Sequence, residues 1–218
     1  MKEVGLFIIS FLIGVAAVFG YSFFRTQNIQ HMPIIEKQAP APTFSTELPP
    51  SQSLKGLIAS RSGQLLWQSR IATAPAELKD NVQIQQDERL ITEDKSSVTV
   101  NFNQVCSMIL SENADLSFIQ TLPVDLVVEQ KKGKIEYAVN GNTPLSIRIR
   151  NALITKISGI LEITITDNDP IISISTIQGT AQIGFNDLDY VSQVFALRQG
   201  QVYEYNSDDR TAINAKNE

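Results

Sequence analysis

The chain has one cysteine, Cys106, and one histidine, His31, among 218 residues. A lone cysteine excludes an intrachain disulfide, and with it the small disulfide-stapled extracellular module. A lone histidine far from that cysteine leaves no cluster of zinc-type ligands. It also leaves no Ser-His-Asp or Cys-His arrangement, because His31 precedes the segment that reads as folded. No glycine-rich phosphate loop occurs. Lys and Arg number 18 against 23 Asp and Glu, a net charge of −5, and the basic residues are scattered. Without a basic stripe there is no electrostatic footprint for nucleic acid. The sequence therefore assigns no catalytic residue, no metal ligand and no cofactor, and it reads as a non-enzymatic protein.

What is present begins with Val4 to Phe24, an uncharged and almost wholly apolar run. As a helix rising 1.5 Å per residue it reaches about 30 Å, the thickness of a bilayer's hydrocarbon core. The expectation is a single transmembrane helix, preceded by the short tail of residues 1–3. A cleaved secretory signal is the competing reading. It fits less well, because the run continues through Tyr21, Ser22, Phe23 and Phe24 and no small-x-small exit follows. No cysteine near the start permits a lipid-modified N-terminus. Ser10 with Gly14, and Ala16 with Gly20, are small-xxx-small pairs that permit helix pairing. Lys2 before the run and Arg25 after it nearly balance, so charge alone does not orient the helix.

Residues 25–53 carry Pro33, Pro40, Pro42, Pro49 and Pro50. Proline at this density blocks helix and favours extended polyproline conformations, as in a semi-rigid spacer. From Leu54 to about Asn206 a period of two takes over. Leu145, Ile147 and Ile149 alternate with polar residues, as do Leu161, Ile163 and Ile165. Val98, Val100 and Phe102 share a face, and so do Ile135, Tyr137 and Val139. Each run reads as a strand with one buried face and one wet face. Turn signals divide the runs at Ser62-Gly63, Glu112-Asn113, Lys132-Gly133, Asn140-Gly141-Asn142, Asp167 to Pro170, Asn186-Asp187 and Gln199-Gly200. Only residues 73–81 suit a helical turn. The expected fold is all-β, with about a dozen or more short, mostly antiparallel strands in a sandwich or short β-solenoid, and residues 207–218 as a polar tail.

Individual side chains offer little chemistry. Cys106 lies among apolar neighbours in VCSMIL and reads as a buried, inert thiol. Asp167 and Asp169 could ligate calcium, but a D-x-D without a following glutamate fits a turn better. Arg148 and Arg150 fall on one strand face, facing an acidic partner or solvent. Trp67 reads as core or as an interface anchor.

The order of the punctuation carries a resemblance. In DERLITEDKSSVTVNF, Leu90, Thr92, Ser97, Val98, Val100 and Phe102 fit the opening of the FecR-like domain, with Asp87 and Glu88 where Gly-Asp is usual. MILSENADLSF is similar to the family's strand-turn-strand. Gly133, Ile135 and Val139 fit its Gly-x-Val strand, Gly159 its Gly-Thr position with Ile160 in place of Thr, and Leu197, Gly200 and Gln201 its closing motif. The resemblance implies a single-pass envelope protein whose all-β domain lies outside the cytoplasmic membrane, periplasmic or extracellular. Known members relay signals to a sigma factor through a cytoplasmic N-terminal region, in whose place this chain has only Met1, Lys2 and Glu3. The expected role is therefore to bind a protein or cell-wall partner, in signalling or envelope assembly. The alternative is a lipid-transport component resembling the single-pass inner-membrane protein of lipopolysaccharide export, which needs an open apolar slit.

Overall fold

The computed structural model describes residues 52–217; the expected transmembrane helix and nearly all of the spacer lie outside them. The described residues form fifteen strands and no helix. In chain order these are β1 Gly56–Ser62, β2 Leu65–Gln68, β3 Ala76–Glu77, β4 Gln83–Ile84, β5 Glu88–Thr92, β6 Ser97–Phe102, β7 Cys106–Leu110 and β8 Asp115–Leu122. There follow β9 Asp125–Val139, β10 Leu145–Ile149, β11 Ala152–Ile165, β12 Ile171–Asn186, β13 Ser192–Arg198, β14 Gln201–Asn206 and β15 Thr211–Asn217.

Hydrogen bonding links all fifteen into one sheet, but β9, β11 and β12 each serve two neighbourhoods. Their halves build two layers. One layer runs β4-β1-β6-β7-β9-β11-β12-β14-β15, through residues 133–139 of β9, 159–165 of β11 and 171–176 of β12. The other runs β3-β2-β5-β8-β9-β10-β11-β12-β13, through residues 125–132, 152–155 and 180–186 of the same three strands. Inward residues of the layers meet in one core: Phe102 touches Phe118 at 5.6 Å and Phe185 touches Tyr205 at 4.7 Å between ring centroids. The architecture is a sandwich folded from a continuous sheet.

The turning points need special backbone. At the β11–β12 bend, Gly159 and Gly179 face each other with φ of 89° and 83°. A Cβ on either would strike the opposite strand's carbonyl, Gln178 O or Ser158 O. β9 turns between layers at Gly133, and buried Gln130 braces that corner. Gln130 Nε2 donates to Gly133 O (2.8 Å) and Ile163 O (3.1 Å), and Oε1 accepts from Tyr137 Oη (3.0 Å). Both polar atoms of this buried amide are thereby satisfied, as low-dielectric surroundings require.

Four sequence expectations change. Lys132-Gly133 does not end a strand, because the backbone bends there and β9 continues. Asn140-Gly141-Asn142 is not a hairpin. It leads into β10, which runs parallel to the first half of β9, and its amides at Asn140 and Gly141 bond Val105 O instead. Residues 73–81 hold the two-residue strand β3 and no helical turn. Residues 207–218 are not simply a tail. The turn after β14 is pinned by Asn151 Nδ2 donating to Ser207 O (2.8 Å), and it returns the chain as β15 beside β14.

Asp87 stands where the FecR-like pattern has glycine, and its φ is 64°, a left-handed conformation that glycine favours. Asx residues tolerate it better than most, so the departure keeps the turn. Glu88, in the family's Asp position, accepts from Gln85 N (2.9 Å) and Trp67 Nε1 (3.2 Å). Burial pushes the Glu88 carboxyl above its ordinary value of 4.5, although these bonds and Arg70 pull it down. A raised folded pKa means the folded state binds more protons. This group's contribution is thus most favourable at acid pH and declines as pH rises from 4.5 through the folded value. Glu88→Gln keeps an acceptor oxygen and should flatten that slope. Denaturant midpoints of both proteins across pH should converge in acid, with the variant the more stable at neutral pH.

Candidate interaction surface

Each described residue singled out in the sequence has its own local structural setting. His31 lies outside the described residues. Cys106 is buried in β7, and burial pushes its thiol up to about 12, so the reactive thiolate is scarce at neutral pH. Asp169 Oδ1 accepts from Ile171 N (2.9 Å) within the β11–β12 turn, and Asp167 pairs with Lys132 (3.3 Å). Among the described residues no group of three or more His, Cys, Asp or Glu could hold a metal ion. Trp67 is half-buried against the core. Arg148 stands exposed on β10, but Arg150 does not share its strand face. It sits in the next turn with φ of 46°, donating to Ser207 Oγ (2.6 Å) and Thr166 O (3.4 Å).

Exposed apolar side chains occur singly at Ile71, Val124 and elsewhere, and gather in one hairpin. Leu188, Tyr190, Val191, Val194 and Phe195 are exposed, Tyr190 by 80%, all in the β12–β13 hairpin. The hairpin tip is held firmly for an exposed loop. Asp187 Oδ1 accepts from the Asp189 and Val191 amides (3.1 and 2.8 Å), and Oδ2 accepts from Gln193 Nε2 (2.9 Å). These bonds hold the Asp187 carboxyl below its ordinary value, the Gln193 bond most. The apolar side chains are therefore presented on a preformed turn.

The outer face beside this hairpin carries a notch. Strand register aligns Glu129, Arg148, Leu153, Gly184 and Val194 in one transverse row. Gly184 leaves a gap between the exposed side chains of Leu153 and Val194, and a Cβ there would meet nothing nearer than 3.8 Å. These residues line a shallow depression of about 600 Å³. Its chemistry suits an apolar side chain in the gap, with Arg148 and Glu129 side by side at its end to meet polar groups. Sequence reasoning missed this site. The signal was the stretch YVSQVFAL, where apolar residues fall on both strand faces instead of alternating.

Two crystal structures of a "putative anti-sigma factor" from Parabacteroides distasonis ATCC 8503, at 2.50 and 1.65 Å resolution, share this fold. Each gives a TM-score of 0.51 at 14% sequence identity, over 60% of this chain and 59% of the solved one. The match therefore spans about 59% of those solved chains' length. At this identity the likeness is one of fold, and it fits the FecR-like fold that the sequence resembles. No protein-family profile and no curated protein matches the chain.

Proposed function

We propose that this is a single-pass envelope protein whose FecR-like domain acts in signalling by binding a protein partner, without catalysis. In this reading residues 4–24 hold the cytoplasmic membrane, residues 25–53 set the domain off its surface, and the domain works outside the cytoplasm. The fold likeness to anti-sigma-factor structures supports the signalling part. The observation that carries partner binding is the apolar hairpin beside the Gly184 notch, since exposed apolar groups clustered on a rigid scaffold mark interaction sites. The lipid-transport alternative gains no support, because the space between the layers is filled by buried side chains such as Met108, Tyr137, Leu161 and Ile183.

The test is photo-cross-linking in native membranes, with a photoreactive side chain at Leu153, followed by identification of the attached protein. A specific protein adduct is expected, and Gly184→Phe, which fills the gap without a backbone clash, should abolish it. Adducts to lipid alone, or an adduct indifferent to Gly184→Phe, would refute the reading. Placement is checked separately by fusing alkaline phosphatase after Glu218. That enzyme needs an oxidising compartment for its disulfides, so active fusion is expected.

A further inference from the structure

Among the described residues the sandwich exposes edges at β3, β4, β13 and β15, with the part of β1 beyond β4 interrupted by a bulge, and they are not guarded alike. β3 and β4 have two residues each, too short to recruit another strand. β15 pairs with β14 across a register shift. β13 has seven residues in unbroken register with β12. It has no proline, and its only charge is the terminal Arg198. Natural edges of this length are usually protected by charge, proline or a bulge, and this one has none in its interior.

We propose that β13 is the contact edge of a two-fold homodimer, pairing antiparallel with β13 of a second copy about an axis through Phe195. The backbone allows this register. The hairpin closes with Asp187 N donating to Val191 O (3.0 Å). Alternation from that bond makes Gln193, Phe195 and Leu197 the residues bonded to β12, and turns the polar groups of Ser192, Val194, Ala196 and Arg198 outward. The Arg198 amide fits this parity, since it donates to Gln201 Oε1 rather than across the ladder. With the axis at Phe195, Val194 meets Ala196 of the second copy as a hydrogen-bonded pair, and Ser192 meets Arg198, whose carbonyl accepts from the Ser192 amide while its own amide stays with Gln201 Oε1. The two Phe195 rings face each other at a non-hydrogen-bonded position, where side chains come closest.

The charges favour a second copy over an unrelated strand. Arg198 ends β13, and the acidic turn with Asp187 and Asp189 begins it. Antiparallel pairing brings each Arg198 to the other copy's acidic turn, twice per dimer. The exposed faces of Val194 and Phe195 are covered in the same step. This inference goes beyond the partner-binding function: the two share Val194, but the notch uses the outer face of the sheet and the pairing uses the backbone edge of β13.

The test uses the full chain in isolated membranes. Only a residue on the axis lies opposite itself, so Phe195→Cys should form a disulfide dimer of doubled mass under mild oxidation. Tyr190→Cys, exposed but set about 30 Å from its own copy at roughly 3.3 Å per residue, should cross-link at least about tenfold less. Buried Cys106 supplies the background control. Val194→Pro removes an outward amide and no bond to β12, along with the exposed Val194 side chain. It should convert the wild-type chain, sized by sedimentation in detergent, from dimer to monomer without loss of its thermal transition. Arg198→Glu should weaken dimerisation about fivefold, and adding Asp189→Arg should restore it. Equal cross-linking at positions 190 and 195, a monomeric wild-type chain, or an adduct joining the Phe195→Cys variant to a different protein would each overturn the proposal.

Discussion

Replacing Ile163 by aspartate should leave the protein without a cooperative unfolding transition, while Glu162→Ala, one residue away, should shift the midpoint by only a few degrees. Ile163 is fully buried in β11, paired with Ile174 on one side and Ile135 on the other. Its own carbonyl accepts from Gln130 Nε2, so the site lies within the brace of the β9 corner. Among the described residues no Lys or Arg is buried, so an aspartate there finds no cation. Burying an unpaired carboxylate costs several kcal/mol, against a total stability of about 5–15 kcal/mol. Glu162 points outward and pairs with Lys134 (2.8 Å) at the surface, where such pairs contribute about 0–1 kcal/mol. Thermal melts followed by circular dichroism decide the matter. Similar losses at both positions would mean that the inward face has been assigned to the wrong residues.

Gly179→Ala should cost about 3 kcal/mol or more, and Gly200→Ala only about 1 kcal/mol, measured as changes in denaturant midpoint. Both glycines have positive φ, 83° and 76°, so both substitutions carry the left-handed penalty. They differ in what the new methyl meets. At Gly200 nothing lies within 4 Å. At Gly179 the methyl runs into Ser158 O, a backbone atom that can yield only by separating β11 from β12. Because these two strands belong to both layers, opening that bend disturbs the core on each side of it. Equal costs at the two glycines would show that the bend relaxes freely and that backbone strain alone matters.

The faces of individual strands were legible because local alternation fixes them. Val98, Val100, Phe102, Leu145, Ile147, Ile149, Leu161, Ile163 and Ile165 all point into the core as their period of two requires. The path of the sheet was not legible. A glycine after a lysine looks the same whether the chain reverses or merely bends, and Gly133 bends. Nor does an Asn-Gly pair say whether the next strand returns alongside or crosses over, since the parallel pairing of β9 with β10 depends on residues far along the chain. The interaction surface was hidden for a related reason. Leu153, Gly184 and Val194 become neighbours only through register. Asp87 shows the reverse case, in which a mismatch to the family pattern preserves the backbone geometry that the pattern encodes.

The strands shared between layers also bear on the order in which the chain can assemble. The β11–β12 hairpin is local in sequence, closed by the turn at residues 166–170, yet it already contains a segment of each layer joined at the Gly159–Gly179 bend. Loop-closure entropy favours such local pairings over the distant one between β1 and β6. The hairpin is thus the natural seed, and we expect pulse-labelled hydrogen exchange to protect its amides before those of β1. During synthesis β1 to β8 emerge first and can pair among themselves as two separate groups, β4-β1-β6-β7 and β3-β2-β5-β8. Only β9 joins the two, through β7 and β8. Until β9 is made, β7 and β8 are open edges, so this is the stage of synthesis most exposed to self-association.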